Sequence, residues 1–213
     1  MQENLKRYTE LPFLIDYLQT KEMVLINPAS WDDRNDSFYI EQYAKLTNKK
    51  SVYALCLTRS PETYHHWRVF SHGNSGVCIE FNEEVFLDEI NKVDGIQAKK
   101  ISYKTIKSLR NKELSTQELP FLKRYAFKDE KEFRLFYCSE DKKGPVFRVP
   151  VQITAIKKII LSPWLPASVV KQIKQTLTLI DGCHSLHIHK TTLVENEDWK
   201  SFVPIKSNKE RTL

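Results

Sequence analysis

The hydrophobic and polar positions of this chain follow two periods, one typical of helices and one typical of strands. Residues 11–22 place Phe13, Leu14, Tyr17 and Leu18 on one side of a helix. Short apolar runs predict strands at 23–26, 52–57, 76–81, 146–149, 153–161 and 184–189, with further helices at 83–91 and 168–180. Strands and helices are interspersed without a regular repeat. The pattern therefore predicts one α+β domain over 1–200, with a mixed, mostly antiparallel sheet flanked by helices, and a basic tail over 201–213.

The segment 123–137 alternates most clearly. As a strand it places Phe133, Leu135 and Tyr137 on one face, which predicts a core contact. The residues predicted to share the other face are Glu130, Glu132 and Arg134. Neighbours on one face lie about 7 Å apart, so one carboxyl pKa rises unless a cation compensates. Two interpretations are open: a solvated charged face, which the alternation alone favours, or an acid pair with a chemical role.

An aromatic segment follows Ser60, which we predict to cap a helix with proline at its first position. Helical spacing would align Tyr64, Trp67, Arg68 and Ser71 on one side. Rings beside an arginine suit a flat ring and a phosphate, while a helix packed through its tryptophan explains the same pattern.

Charge and cysteine content narrow the class of protein. The chain has 213 residues with 33 Lys and Arg against 27 Asp and Glu, a net charge of +6. Residues 99–112 hold six basic and no acidic residues, which suits a nucleic-acid partner or plain solubility. Four widely spaced cysteines are expected to be free thiols. No apolar run is long enough to span a bilayer, and we expect a cytoplasmic protein.

Several classes lack their signatures. Neither GxGxxG nor GxxxxGK[ST] occurs, and the GxSxG elbow and the kinase motifs are absent from the sequence. Cys183, His184, His187 and His189 form a weak candidate for zinc, because no second cluster completes the ligand set. We therefore predict no metal site.

Three stretches resemble an ordered set of motifs. WDDRND at 31–36 resembles W-x-D-P-x-[DE], and WRVFS at 67–71 resembles W-R-x-Y-S, followed by G-V-x-I at 76–79. Residues 123–134 resemble K-R-x-x-F-x-x-E-x-E-x-R. By these motifs the chain, from about residue 5 to about residue 195, resembles a bacterial domain-of-unknown-function family numbered 2971. Arg34 replaces that family's proline and Phe70 its tyrosine, so no tyrosyl hydroxyl stands at position 70.

A second resemblance is to the layout of ADP-ribosyltransferases: a basic residue on a first strand, a helix, an aromatic middle section and a late E-x-E strand. It implies NAD as cofactor, with its pyrophosphate on Arg7 and its nicotinamide stacked on Tyr64 or Trp67. Glu132 would bind the ribose hydroxyl and stabilise the oxocarbenium-like centre, and Glu130 would orient or deprotonate the acceptor.

The predicted site follows from these resemblances. Its catalytic residues are Glu132, Glu130 and Arg134; its cofactor-binding residues are Arg7, Tyr8, Tyr64, Trp67, Arg68 and Ser71; its substrate-binding residues are Asp33, Asp36, Lys123 and Arg124. We expect the two glutamates to face a cavity shared with Arg7 and Trp67. The basic segment favours a nucleic-acid acceptor, although a protein acceptor is also open. Small basic bacterial proteins of this layout are often toxins or phage-defence effectors, which implies a neutralising antitoxin as a partner.

Two other functions fit the same residues. The first is a metal-dependent nuclease, with Asp33, Asp36, Glu130 and Glu132 gathering Mg²⁺ around a phosphodiester. The second is a non-catalytic module that binds nucleic acid or protein, in which the carboxylates serve only internal salt bridges.

Overall fold

The computed structural model of the chain describes residues 4–203, and the predicted basic tail lies mostly outside them. The strands are β1 (Leu5–Glu10), β2 (Glu22–Ile26), β3 (Ser51–Thr58), β4 (Gly76–Phe81), β5 (Gln97–Lys100), β6 (Ser102–Lys104), β7 (Leu122–Arg124), β8 (Glu132–Ser139), β9 (Val146–Pro150), β10 (Ile156–Leu161) and β11 (Ile188–Lys190). The α-helices are α1 (Leu11–Thr20), α2 (Arg34–Leu46), α3 (Tyr64–Phe70), α4 (Glu83–Asn91), α5 (Ile106–Leu109), α6 (Ala167–Thr178) and α7 (Glu197–Ser201).

Nine strands form one sheet, and its pairings are antiparallel except between β10 and β11. The order is β11-β10-β4-β1-β3-β2-β9, while β8 pairs with β3 and β5 pairs with β8. Strands β6 and β7 form a separate parallel pair. The predicted α+β class with a mixed, mostly antiparallel sheet is confirmed. No helix within residues 4–203 has the length and apolar character needed to cross a bilayer.

The sheet is continuous through β1 and β4 but separates between β1 and β3. Six residues of β1 pair with β4, whereas only Lys6 pairs with Thr58 of β3. Strand β2 meets β3 through Ile26 and Ala54 alone. The edge of β3 between these two contacts therefore faces a gap in the sheet. This gap positions the site described below.

Apolar side chains cover both faces of the sheet. The larger core packs α1, α4 and α6 against one face, with Leu55, Ile79 and Leu135 at its centre. On the opposite face, α2 covers the β3–β8 half through Ile40 and Tyr43. Helix α3 covers the β1–β4 half through Trp67, which packs with Tyr8, Cys78 and Ile160.

Local capping explains where the helices on that face begin. Asp33 accepts from the backbone N–H groups of Asn35 and Asp36, which starts α2. Thr63 accepts from the N–H of His66, which starts α3. The predicted cap at Ser60 was therefore three residues early, because the polar side chain before the helical turn is Thr63. The polar stretch 31–36 therefore contains a helix cap, at Asp33.

The predicted strand 153–161 begins only at Ile156, after a 3-10 turn over Ile153–Ala155, and the predicted strand 184–189 is reduced to β11. The predicted strand over 123–137 is interrupted: β7 ends at Arg124, a 3-10 turn covers Tyr125–Glu130, and β8 begins at Glu132. The other predicted elements lie within a few residues of the observed ones.

Candidate functional site

The gap between β1 and β3 opens into a cleft on the face covered by α2 and α3. We call it the Arg7–Glu132 cleft. Its lining residues are Lys6, Arg7, Tyr8, Cys56, Leu57, Thr58, Phe70, Lys123, Glu130 and Glu132. About 50 Å³ of it admits water-sized molecules, which is room for a few waters. The cleft therefore joins the first strand of the chain to the E-x-E segment.

Arg7 spans the gap. Its Nη1 donates to the backbone oxygen of Cys56 at 2.9 Å, which satisfies a β3 carbonyl that has no strand partner at that point. Arg7 also lines a second space on the α1 side, of about 180 Å³, together with Phe13 and Tyr17. The guanidinium thus lies between two cavities, at the point where the sheet separates.

Glu132 begins β8 and is 4% exposed. Its Oε1 accepts from Nε of Arg134 at 2.7 Å, and its Oε2 accepts from Nζ of Lys123 at 3.2 Å. Burial by itself would raise the pKa of Glu132, but the charges of Arg134 and Lys123 outweigh it and lower the pKa to about 2. Glu132 is therefore an ionised carboxylate at the wall of the cleft.

Glu130 reaches the same lysine by a different route. It ends a 3-10 turn, Tyr125–Glu130, and Lys131 follows with a φ of 43°, in the left-handed region. Nζ of Lys123 donates to Glu130 at 2.6 Å. Burial raises the pKa of Glu130 above its ordinary value, Lys123 opposes that rise and Glu132 adds to it. Glu130 is more exposed than Glu132 and is the carboxylate that takes up a proton more readily.

Lys123 is the cation between three carboxylates. Its Nζ lies 2.6 Å from Glu130, 3.2 Å from Glu132 and 3.9 Å from Asp36. Arg134 closes the cluster from below with a bidentate pair to Asp36. Lys123 and Arg134 therefore pair with three carboxylates, Asp36, Glu130 and Glu132, and Arg7 lines the same cleft as the two glutamates. The solvated face predicted for the Glu130–Arg134 segment is wrong, because Arg134 and Glu132 are buried under α2.

Arg134 lines none of the cleft. It is fully buried, its Nη1 also donates to the backbone oxygen of Pro120 at 2.8 Å, and its guanidinium lies 4.9 Å from the Trp31 ring. Asp36 is buried on the far side of Arg134. These two residues hold Glu132 in place without facing the cleft. Asp33 caps α2, and Arg124 is exposed on β7 beside the cleft.

The side chains of α3 and of the residue after it point in three directions. Trp67 is fully buried, packs edge-to-face on Tyr8 at 5.1 Å and donates through Nε1 to Glu62. No face of its ring is accessible, so the structure gives it no place for a stacked nicotinamide. Ser71 is also buried and donates to the backbone oxygen of Trp67. The aromatic side chain of this helix that does line the cleft is Phe70, which sequence reasoning did not single out.

Tyr64 and Arg68 lie on the flank of α3 opposite the cleft. Arg68 donates through Nε to the hydroxyl of Tyr64 at 2.9 Å, and neither residue lines the cleft. Tyr64 and Arg68 are four residues apart and stay on one side of the helix, as predicted. Trp67 lies about 100° round the helix from Arg68 and is buried in the core instead. Arg7, Tyr8, Lys123, Glu130 and Glu132 are the predicted residues that the structure brings together in one cavity.

Gly76 explains one of the motifs. A Cβ at this position would lie 2.8 Å from Cβ of Ser71 and 3.5 Å from the Trp67 ring. The W-R-x-x-S and G-V-x-I stretches are therefore in contact, since β4 passes directly against α3. Packing between the two stretches therefore explains why both motifs are present in this chain.

No metal centre is visible in the described part of the chain: within residues 4–203 no three His, Cys, Asp or Glu side chains are grouped to hold an ion. His187 and His189 stack at 5.1 Å instead. The four carboxylates of the nuclease alternative do not form one group. Asp33 caps a helix, and the other three surround Lys123.

Comparisons with known proteins give few matches. No curated protein matches the sequence. A solved structure titled Thermus sp. 2.9 DarT in complex with ADP-ribosylated ssDNA is similar with a TM-score of 0.46 and 9% identity, over 92% of this chain and 95% of that one. Residues 66–135, from α3 into β8, match the family described as Protein of unknown function (DUF2971). This match confirms the resemblance to family 2971 over that part of the chain, and the 31–36 motif lies outside it.

Proposed function

We propose that this protein is an ADP-ribosyltransferase-like enzyme, which transfers ADP-ribose from NAD to a nucleic acid or a protein. One observation carries the proposal. An ionised, buried glutamate and an arginine of the first strand, Glu132 and Arg7, border the same cleft where the sheet separates. A carboxylate held in a water-poor cleft stabilises positive charge that develops beside it, and a guanidinium matches phosphate oxygens.

The side chains of the cleft fit NAD in their chemistry. Arg7 would hold the pyrophosphate, Glu132 the ribose hydroxyl, and the ring of Phe70, which is 36% exposed, would contact the nicotinamide. Bound NAD would supply an ADP-ribosyl group whose bond to nicotinamide weakens as positive charge builds on the ribose. The present space of about 50 Å³ admits only part of such a molecule. Binding therefore requires Phe70 and Arg7 to move apart.

Glu130 is suited to the acceptor. It borders a further cavity of about 360 Å³ beside α3, lined also by His66, Phe70 and Asp129. Glu130 thus lies between this outer space and the Arg7–Glu132 cleft. A carboxylate whose pKa is raised by burial accepts a proton more readily than Glu132, whose charge is fixed by two cations. We assign to Glu130 the deprotonation of the acceptor, and to Glu132 the binding of the NAD ribose and the stabilisation of its positive charge.

The acceptor that we favour is a nucleic acid. Lys104 and Arg124 lie side by side on β6 and β7, next to Lys123 in the cleft, and extend the basic segment 99–112 to its edge. A role as an effector or toxin held by an antitoxin follows from the resemblance alone. Four unpaired cysteines suit the reducing cytoplasm, which is where we place the protein.

The non-catalytic alternative is favoured by one feature, the buried network in which Lys123 and Arg134 pair with three carboxylates. Such a cluster could serve stability alone. NAD distinguishes the two interpretations. Millimolar NAD should raise the melting temperature of the wild type, and Mg²⁺ or Mn²⁺ should not. Arg7→Ala should remove the effect of NAD. A melting temperature that responds to the metals but is insensitive to NAD would favour the nuclease, and one that responds to neither would favour the non-catalytic module.

A further inference from the structure

Arg68 is held between two aromatic rings on the outer flank of α3. Its guanidinium carbon lies 4.3 Å from the ring centroid of Trp164 and 5.3 Å from that of Tyr64. The two rings meet edge-to-face at 5.8 Å, and Nε of Arg68 donates to the Tyr64 hydroxyl. The contacts fix the plane of the guanidinium before any ligand arrives.

The remaining nitrogens of Arg68 have no acidic partner in the part of the chain that the structure describes. The ion pairs found within residues 4–203 include Arg59, Arg134 and Arg148, and they do not include Arg68. Its side chain is exposed. A planar, oriented guanidinium with its two terminal nitrogens available matches two phosphate oxygens. The chemistry of this arrangement suits an anion.

Helix α3 separates this site from the Arg7–Glu132 cleft. Phe70 and His66 lie on its cleft side, while Tyr64 and Arg68 lie against Trp164, in the segment after β10. A helix is about 10–12 Å across with its side chains. The basic residues of β6 and β7 lie on the other side of the cleft. Cations therefore flank the cleft on both sides, and a linear polyanion could contact both while crossing Glu130.

We propose that Arg68, clamped by Tyr64 and Trp164, docks a backbone phosphate of a single-stranded nucleic acid. The nucleotides next to that phosphate cross α3 toward Glu130. This inference rests on the proposed function in one respect, namely that the bound nucleic acid is the acceptor of ADP-ribose. A single strand is the form that suits the site, because a paired base would have to leave its stack to reach a carboxylate inside a cleft. Tyr64 is also 44% exposed, so its ring is accessible to an unstacked base.

The test measures binding without NAD, so that it is independent of any transfer reaction. Fluorescence anisotropy with a labelled mixed-sequence single-stranded DNA 20-mer, and with the RNA of the same sequence, gives Kd over a range of salt concentrations. Arg68→Ala should weaken binding roughly threefold to tenfold and reduce the slope of log Kd against log salt by about 0.7, as expected for one lost phosphate contact. Trp164→Leu should weaken it less, and Arg68→Lys should fall between Arg68→Ala and the wild type.

Arg148→Ala is the matched control, because it removes one positive charge from β9, whose ion pair with Asp16 lies on the α1 side. It should leave Kd within about twofold of the wild type. Equal effects of Arg68→Ala and Arg148→Ala, or none from Arg68→Ala, would overturn the assignment. Binding of a duplex as tight as of the single strand would overturn the choice of ligand. A wild type that binds neither oligonucleotide but still transfers ADP-ribose to protein would overturn this inference and leave the proposed function standing.

Discussion

The guanidinium of Arg134 donates to both carboxylate oxygens of Asp36, from Nη1 at 2.8 Å and from Nη2 at 2.6 Å. Its third nitrogen, Nε, donates to Glu132. One buried arginine therefore ties the first turn of α2 to the first residue of β8. The result is that one oxygen of Glu132 is fixed inside the protein while the other lies with Lys123 at the cleft.

Replacing this arginine should destabilise the protein strongly. Arg134→Met leaves Asp36 and Glu132 buried without their shared cation, and we expect the free energy of unfolding to fall by about 3–5 kcal/mol. Urea denaturation measures this loss. Arg148→Met breaks an exposed pair with Asp16 and should cost about 0–1 kcal/mol. Similar losses for the two variants would show that the buried cluster is not a special source of stability.

The pH dependence of transfer should report Glu130. Burial raises the pKa of this carboxyl above its ordinary value of 4.5, so it becomes protonated, and unable to accept a proton, at a higher pH than an exposed glutamate. Glu132, with a pKa of about 2, stays ionised throughout. Initial transfer rates between pH 4 and 8 should therefore rise with pH along a limb whose midpoint lies above 4.5. The fold is monitored by circular dichroism at each pH, and a midpoint below 4.5 would contradict the role of Glu130.

Two aromatic residues of α3 should respond differently to substitution. Trp67→Phe loses buried volume and the hydrogen bond to Glu62, and should cost about 1–3 kcal/mol of stability while leaving the shift in melting temperature caused by NAD unchanged. Phe70→Leu changes a half-exposed ring in the cleft. It should alter stability by less than about 1 kcal/mol and reduce the NAD shift. The reverse pattern would restore Trp67 as the stacking residue, one of the two that the sequence predicts.

The sequence predicted the fold class because its strands are short, apolar and separated by clear turn and cap residues. It also predicted the face of β8 that enters the core, since Phe133 and Leu135 follow a strict period of two. It failed on the opposite face. Burial of Arg134 depends on Asp36, nearly a hundred positions earlier in the chain, and alternation carries no information about such a partner.

The candidate site was predicted in part for the same reason. Arg7 and Glu132 were named from a family layout, and the structure places both in one cleft. The contact between Glu130 and Lys123 was not predicted. Glu130 ends a turn, and the left-handed backbone of Lys131 that follows it cannot be recognised in the sequence. Trp67 was assigned to the site because aromatic rings at helical spacing look alike in sequence, whether they face a core or a cavity. A helix of seven residues presents both, and only packing decides which ring is accessible.

The most direct test incubates the purified protein with labelled NAD and with single-stranded DNA, RNA or cell lysate, and compares transfer by the wild type, Glu132→Gln and Asp36→Asn. Both variants weaken the same buried cluster, but only Glu132 borders the cleft, so stability and chemistry are separated. Each protein is assayed below its own melting temperature. We expect transfer by the wild type, a transfer rate lower by roughly 10²-fold or more in Glu132→Gln, and a rate within about tenfold of the wild type in Asp36→Asn. No transfer by the wild type, or equal transfer by all three, would contradict the proposed function.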